Sequence, residues 1–260
     1  MSMDNLNICL LQTDLVWENK EANLSIFEKM IKALRIPADI ILLPEMFSTG
    51  FSMNPGPLAE SMEGPSLKWM LEKAGETGSL IAGSLIIQEG NDYFNRFIAV
   101  STDGVIASYD KRHLFRMSNE ETHYKAGNSR TIFEWKGWRI LPLICYDLRF
   151  PVWIRNQDDY DLILLVANWP EPRQNVWRTL LVARALENQS FVAGVNRIGK
   201  DNKKVNHAGD SLIISPKGMI IKDAGNYSDS FSADLSKEEL IQFREKFPVD
   251  RDRDSFRIEL

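Results

Sequence analysis

A cysteine between a predicted strand and a predicted turn is the residue of this sequence best placed to act as a nucleophile. Cys145 follows the apolar run Leu141–Ile144, and Pro151 can begin a short helix soon after it. A side chain at such a junction projects into a site, and the next backbone N–H faces the same space, which suits a nucleophile with an oxyanion donor beside it. This segment alone leaves a buried structural thiol as an equal alternative. The second cysteine, Cys9, lies inside an apolar run, and we interpret it as a core residue.

A catalytic thiol needs a base or a positive charge beside it, because its ordinary pKa is about 8.5. The three histidines, His113, His123 and His207, do not lie in a known Cys–His protease signature. Glu45, in the run Leu-Pro-Glu-Met-Phe, follows a predicted buried strand and offers a carboxylate base instead. Lys111, at the end of a predicted hairpin, offers an ammonium that favours a thiolate and stabilises an oxyanion. Taken singly, each is more often a solvated surface residue.

The elements that would position these residues alternate between strands and helices in the first half of the chain. Buried strands are predicted at Leu6–Leu11, Ile40–Leu43 and Leu80–Gln88, and helices at Glu21–Leu34 and Pro65–Thr77. A hairpin is predicted where Phe94–Ser101 and Val105–Tyr109 flank Thr102-Asp103-Gly104.

The second half repeats this order. Strands are predicted at Arg139–Ile144, Asp161–Ala167 and Ser190–Val195, a helix at Gln174–Asn188, and a second hairpin around Pro216-Lys217-Gly218. Ser236 and Glu239 fit a capping box ahead of a last helix, Lys237–Phe247, and the tail from about 248 is charged. Together the two halves predict an α/β fold of two facing sheets with helices outside, in one domain over residues 1–260.

The composition excludes several classes of partner. A net charge of −5 disfavours nucleic acid and anionic membranes, which select basic surfaces. No apolar run approaches the roughly 20 residues that span a bilayer, and Met1–Asn5 lacks the pattern of a secretion signal. Two cysteines make no disulfide framework, so we expect a reducing cytoplasm.

Taken together, the three candidate residues and their surroundings resemble a known family. Glu45 in LPEMF, Lys111 in YDKRHLF and Cys145 in ICYDLRFP resemble, in order and spacing, the Glu-Lys-Cys triad of the nitrilase superfamily of carbon-nitrogen hydrolases. The resemblance extends to Ala167–Pro170, to the helix segment Arg184–Asn188 and to the hairpin Gly209–Gly218, and so covers most of the chain. It implies a four-layer α-β-β-α sandwich and a homodimer.

The resemblance also implies roles for these residues. Glu45 would take the Cys145 proton as the thiol attacks an amide carbonyl, and Lys111 with the Tyr146 backbone N–H would hold the oxyanion. Glu120 resembles the second glutamate of the family, which supports the lysine; its neighbour Glu121 is the alternative assignment. The implied mechanism proceeds through a thioester and requires no metal or organic cofactor.

The run DKRHLFRM, the short chain and the segment ANWP most resemble the omega-amidase branch. Enzymes of that branch hydrolyse the terminal amide of 2-oxo dicarboxylate monoamides such as 2-oxoglutaramate and 2-oxosuccinamate. The far carboxylate of such a substrate needs a cation. The candidate arginines are Arg116, Arg149 and Arg173, although Arg149 could equally brace its own loop through an ion pair. The candidate pocket walls are Phe47, Tyr146 and Trp169, each of which could instead be core.

Four other interpretations remain open on the sequence. A nitrilase and an N-carbamoyl amidohydrolase would share the triad, and their products would distinguish them. A non-enzymatic interaction module on this fold predicts that a triad residue is missing, and none is. A Cys–His hydrolase predicts that activity depends on His113 or His123 rather than on Glu45.

Overall fold

The computed structural model describes residues 5–259 and contains two six-stranded sheets and a small two-stranded hairpin. The first sheet has the order β14-β1-β2-β3-β4-β5 and contains β1 (Leu6–Gln12), β2 (Ile40–Leu42), β3 (Leu80–Glu89), β4 (Asp92–Ser101), β5 (Gly104–Asp110) and β14 (Asp229–Leu235). The second has the order β13-β12-β9-β8-β7-β6 and contains β6 (Phe133–Trp135), β7 (Trp138–Ile144), β8 (Leu162–Val166), β9 (Phe191–Val195), β12 (Leu212–Ile214) and β13 (Ile220–Asp223). The hairpin pairs β10 (Ile198–Lys200) with β11 (Asn206–Ala208).

Six α-helices accompany the sheets among the described residues: α1 (Lys20–Lys32), α2 (Pro55–Leu58), α3 (Pro65–Thr77), α4 (Pro151–Ile154), α5 (Gln174–Asn188) and α6 (Lys237–Lys246). The centre of each sheet is parallel, β1-β2-β3 in one and β7-β8-β9 in the other. Strands in such a position are covered on both faces, which explains why they read as unbroken apolar runs in the sequence.

Alternate residues of β1 show how the layers are arranged. Leu6, Ile8 and Leu10 belong to a core cluster that includes residues of the second sheet, while Cys9 and Leu11 pack in a cluster with residues of α1 and α3. Because strand side chains alternate between faces, one face of the first sheet meets the second sheet and the other meets helices. This confirms the predicted sandwich of facing sheets with helices outside.

The outer helix α5 lies close against the second sheet. A Cβ added to Gly194 on β9 would lie 2.9 Å from a Leu181 methyl carbon and 3.2 Å from the Trp177 ring. Glycine at this point therefore lets the helix approach the sheet. The Arg184 guanidinium on the same helix donates to the carbonyl of Leu148 at 3.0 and 2.7 Å, which fixes α5 to the segment that follows Cys145.

The predicted elements are present with ends displaced by one or two residues, but β6, β10, β11 and β14 were not predicted. Three of them have only three residues, and β14 is a polar edge strand paired with β1. Ser236 accepts the N–H of Glu239 at 3.2 Å, which is one half of the predicted capping box. In the charged tail, Ile258 packs against the main core.

Residues 1–4, which bear on the expected lack of a secretion signal, and Leu260 lie outside the described residues. Between residues 5 and 259, every helix is too short or too polar to span a bilayer.

Candidate active site

Cys145 lies at the carboxyl end of β7, where the chain enters a 3-10 helix, Cys145–Arg149. Its φ of 45° is left-handed, a conformation that non-glycine residues adopt at a cost and that concentrates at functional sites. Asp147 Oδ2 accepts the N–H of Ile144 at 3.0 Å and holds the turn in place. The Tyr146 amide lies in the first turn of the helix, where N–H groups have no partner within the helix.

Glu45 follows β2 and is completely buried. Its Oε1 accepts hydrogen bonds from Lys111 Nζ at 2.9 Å and from Asn95 Nδ2 at 2.7 Å, and its Oε2 accepts the Asn168 N–H at 2.9 Å. The next residue, Met46, has a φ of 43°, so the chain turns sharply just after the carboxylate as it does at the thiol. Both strand ends therefore direct a functional group into one place.

Lys111 follows β5, and its ammonium joins Glu45 to Glu120. Its Nζ lies 2.9 Å from Glu45 Oε1 and 3.0 Å from both oxygens of Glu120, and all three side chains are inaccessible to solvent. Glu120 also accepts the Phe115 N–H at 2.5 Å, whereas Glu121 is exposed. Of the two glutamates that the sequence left open, Glu120 is the one in contact with Lys111.

Burial is the largest single influence on the pKa values of Cys145, Lys111 and Glu120. It raises the pKa of the Cys145 thiol well above its ordinary value, and the Glu45 charge raises it further, against the opposing effect of Lys111 and of the Asn168 N–H. Burial opposes the charge of Lys111, but Glu120, Glu45 and Cys145 together raise its pKa, so it stays an ammonium. Burial also raises the pKa of Glu120. The resting thiol is thus protonated, and the nearby charge of Glu45 favours that protonated form.

The three histidines lie in surroundings that differ from those of the Glu45, Lys111 and Glu120 cluster. His113 Nδ1 lies 2.8 Å from Asp147 Oδ1, and its ring stacks on Phe150 with centroids 3.7 Å apart. His123 is exposed. His207 lies in the wall of the cleft, where burial and then the Arg197 charge lower its pKa to about 4, so it is neutral at pH 7.

A cleft of about 280 Å³ opens above Cys145. Of the residues predicted to contact substrate, Tyr146, Trp169, Arg149 and Arg173 line it. Its other lining residues include Phe51, Phe115, Asn168, Lys203 and His207.

Two predicted substrate contacts lie elsewhere. Phe47 is completely buried and packs in the core against Phe27 and Trp69, with ring centroids 5.7 and 5.9 Å away. Its prediction as a pocket wall is therefore wrong, because the chain turns at Met46 and points Phe47 toward the helices; Phe51 lies in the cleft instead. Arg116 is exposed and lines a neighbouring hollow beyond Tyr146.

The two cleft arginines lie on aromatic rings. The guanidinium of Arg149 lies 5.3 Å from the Trp169 ring centroid, and that of Arg173 lies 5.3 Å from the Phe115 ring centroid. Among residues 5–259 neither guanidinium has an ion pair or hydrogen bond, so the ion pair considered for Arg149 is not found within that range. In contrast, Arg96, Arg139 and Arg178 each bind a carboxylate.

Sequence reasoning missed Asn95, Asn168 and the β10–β11 loop that carries Lys203. Asn168 lies in the segment Ala167–Pro170, which resembles the family, so the sequence did offer a reason to consider it. Asn95 has no motif of its own on β4, and the loop comes near Cys145 only through the fold: Arg197 at its base donates to Asp14, and the Ile198 N–H donates to the Thr13 carbonyl. Among the described residues, no group of three His, Cys, Asp or Glu side chains is arranged to hold a metal ion.

Comparison with known proteins gives consistent matches along nearly the whole chain. A family model described as carbon-nitrogen hydrolase matches residues 7–245. A protein of Escherichia coli strain K12 named omega-amidase YafV is 49% identical over 257 residues, covering 98% of this chain and 100% of that protein. A protein of Bacillus subtilis named 2-oxoglutaramate amidase is 34% identical over 247 residues, covering 93% and 95%. The crystal structure of a CN-hydrolase superfamily protein from Xanthomonas campestris, with an arsenic adduct in its active site, matches with a TM-score of 0.96 and 40% identity, covering 99% and 100%.

Proposed function

The chain belongs to the carbon-nitrogen hydrolase family, and on that premise we propose that it is an omega-amidase. Its substrates are small 2-oxo dicarboxylate monoamides such as 2-oxoglutaramate and 2-oxosuccinamate, whose terminal amide it hydrolyses to the acid and ammonia. The observation that carries this proposal is that two arginines, which have no carboxylate partner among the described residues, line the same cleft as the Cys145 thiol. The part of the cleft at Cys145 thus suits an amide carbonyl, and the part lined by Arg149 and Arg173 suits an anion.

The first half of the reaction forms a thioester on Cys145. Glu45 takes the thiol proton through Oε2 as sulfur attacks the amide carbonyl carbon. The same carboxyl then gives that proton to the leaving nitrogen, and the C–N bond breaks to release ammonia. In the second half, Glu45 takes a proton from water, which attacks the thioester, and returns it to the sulfur. The acid leaves and the thiol is restored.

Two donors stabilise the tetrahedral oxyanion in this proposal. Lys111 has three ammonium hydrogens, of which one meets Glu45 and one lies between the two oxygens of Glu120, so a third remains for substrate. The Tyr146 N–H, in the first turn after Cys145, is the second donor.

Asn168 accounts for an amide rather than a nitrile as substrate. Its Nδ2 donates to the backbone carbonyl of Glu45 at 2.5 Å, which fixes the orientation of the side-chain amide because a carbonyl only accepts. Its buried Oδ1 has no hydrogen-bond partner among the described residues. A carboxamide NH₂ group would satisfy this acceptor, and a nitrile nitrogen carries no hydrogen to do so.

Arg149 and Arg173 would bind the 2-oxo acid end of the substrate. Each guanidinium rests on a ring, which leaves its N–H groups free for carboxylate oxygens. A 2-amino acid such as glutamine would bring an ammonium toward the same two cations, and we therefore expect it to bind more weakly.

We also propose a cytoplasmic homodimer. Both cysteines are free, as a reducing compartment requires. Val152 on α4 and Leu186 on α5 are exposed apolar side chains on the two helices next to the Cys145 segment, and a second copy would cover them. Light scattering should give twice the chain mass; a monomer at micromolar concentration would contradict the dimer.

Ammonia release from a panel of amides tests the proposed activity. The panel contains 2-oxoglutaramate, glutamine, an N-carbamoyl amino acid and a simple nitrile, and we expect 2-oxoglutaramate to be the preferred substrate. Cys145→Ala should abolish turnover without unfolding, while the matched change Cys9→Ser should leave it intact because Cys9 lies in the core. Folded protein that releases no ammonia from any amide would overturn the proposal.

A further inference from the structure

Asn95 is a buried amide at the centre of the candidate active site that the catalytic scheme does not use. It lies on β4 and is completely inaccessible to solvent. Its Nδ2 donates to Glu45 Oε1 at 2.7 Å and lies 3.4 Å from Glu120 Oε1. Its backbone carbonyl accepts the Lys111 N–H at 3.0 Å. One residue thus contacts both carboxylates and the backbone of the lysine.

Ser84 determines which way this amide points. The Ser84 oxygen accepts the Met46 N–H at 2.8 Å, and its hydroxyl proton goes to Asn95 Oδ1 at 2.9 Å. Since Asn95 Oδ1 receives that proton, the NH₂ group must face the carboxylates, which only accept hydrogen bonds when ionised. The same serine fixes the turn after Glu45, because its carbonyl accepts the Phe47 N–H at 3.2 Å.

The hydrogen bond from Asn95 determines which oxygen of Glu45 can accept a further proton donor. A carboxylate oxygen accepts about two hydrogen bonds. Oε1 already accepts two, from Lys111 and Asn95, whereas Oε2 accepts one, from the Asn168 N–H. The remaining acceptor position is on Oε2, the oxygen that accepts the N–H of Asn168, and Asn168 lines the same cleft as Cys145.

The charges of Glu45, Glu120 and Lys111 explain why a neutral donor suits the position of Asn95. Two carboxylates and one ammonium are fully buried together, so a second ammonium would favour the charged carboxylates so strongly that proton transfer from the thiol would weaken. A third carboxylate would repel both glutamates. An amide donates to the carboxylates without changing the charge of the group.

We propose that Asn95, oriented by Ser84, is a positioning residue. It holds Oε1 of Glu45 in a hydrogen bond and leaves Oε2 to accept the thiol proton. The inference rests on the proposed function for the role of Glu45 as the base. It concerns how the base is held, however, and not which amide is hydrolysed.

Asn95→Ala tests this inference with two independent readouts in a Cys9→Ser background. The kcat for ammonia release from 2-oxoglutaramate should fall by about 10²-fold, and KM should stay within about threefold because Asn95 does not touch substrate. Alkylation of Cys145 by iodoacetamide at pH 7 should slow by about tenfold.

The alkylation readout needs no substrate, so it separates this inference from the proposed function. If 2-oxoglutaramate is not hydrolysed but the variant slows alkylation, the function is wrong and the positioning role stands. If alkylation and kcat both stay within about threefold while only the thermal midpoint falls, Asn95 is purely structural and the inference is wrong.

Ser84→Ala provides a milder test should Asn95→Ala fail to fold. It leaves the Asn95 amide free to rotate, and we expect kcat to fall by about tenfold. Ser79→Ala is the matched control, because Ser79 is equally buried just before β3 and donates to the Ala38 carbonyl at 2.6 Å, away from Glu45. Equal effects of the two serine changes would overturn the proposal.

Discussion

Lys73 and Lys111 are both buried lysines surrounded by glutamates, and they differ in where those glutamates lie. Lys73, on α3, has a side chain only 1% exposed and contacts Glu28, Glu72 and Glu76 at 3.4, 3.0 and 2.9 Å. Its partners are 35%, 63% and 44% exposed. Lys111 contacts Glu45 and Glu120, and neither of these is exposed at all.

The difference lies in what remains when the lysine is removed. The partners of Lys73 are reached by water, which would solvate them if the ammonium were gone. The partners of Lys111 have no such alternative, so two carboxylates would be left buried without a counter-charge. A buried lysine in an ion pair therefore does not by itself indicate a functional site. The indication comes when its carboxylate partners are also buried and lie beside a cleft and a thiol.

Within the comparison of the two lysines, the largest effect is expected from removing Lys111. Lys111→Met removes the proposed oxyanion donor and the charge that balances two glutamates, so kcat/KM should fall by about 10³-fold. Steady-state kinetics with a circular dichroism check of folding would measure this. A folded variant that keeps more than about a tenth of the activity would contradict the assigned role of Lys111.

The next effect extends the comparison to arginines with and without carboxylate partners. Arg173→Ala removes a cleft guanidinium that has no carboxylate partner among the described residues, and KM for 2-oxoglutaramate should rise by about tenfold or more. Arg178→Ala is the matched control, because that guanidinium binds Asp223 and Asp210 instead of facing the cleft. It should change stability while KM stays the same; equal KM values for the two variants would count against the carboxylate site.

His207 extends the comparison to a buried basic group that has no carboxylate in hydrogen-bond contact within the described part of the chain. Folding lowers the pKa of His207 to about 4 from 6.5. Between these pH values the imidazole is therefore protonated in the unfolded chain and neutral in the folded chain. Stability is therefore full above about pH 6.5 and falls as pH decreases toward 4, by about 2 kcal/mol between pH 7 and pH 5. Denaturant unfolding at the two pH values should show a smaller decrease for His207→Gln than for the native chain. An unchanged pH dependence would show that His207 is not the titrating group.

The smallest effect is expected at Lys73. Lys73→Met replaces a buried ammonium by an apolar side chain of similar length and leaves its glutamates in water, so stability should change by no more than about 1 kcal/mol. The activity should be the same as in the native chain. A loss of activity comparable to that of Lys111→Met would remove the distinction between the two clusters.

The sequence predicted the parts of the site that depend on strand ends and known motifs. Glu45, Lys111 and Cys145 each follow a strand or hairpin whose pattern is local, and the structure brings all three together with Glu120. Phe47 was misplaced because the direction of a side chain after a turn depends on the φ of Met46, which no residue type signals. Asn95 was missed because its contact with Glu45 depends on strand register. Lys203 was missed because it reaches the cleft at Cys145 only through a hairpin anchored by Arg197, which is a product of the whole fold.

The measurement that tests the central claim most directly is the rate of ammonia release from 2-oxoglutaramate by Glu45→Gln, with His113→Asn beside it. The substitution keeps the shape of the side chain but removes its ability to accept the thiol proton, and kcat should fall by about 10² to 10⁴-fold. His113→Asn should retain turnover, because His113 binds Asp147 and stacks on Phe150 rather than serving as the base. Full activity of folded Glu45→Gln, with loss of activity in His113→Asn, would contradict a cysteine activated by a carboxylate.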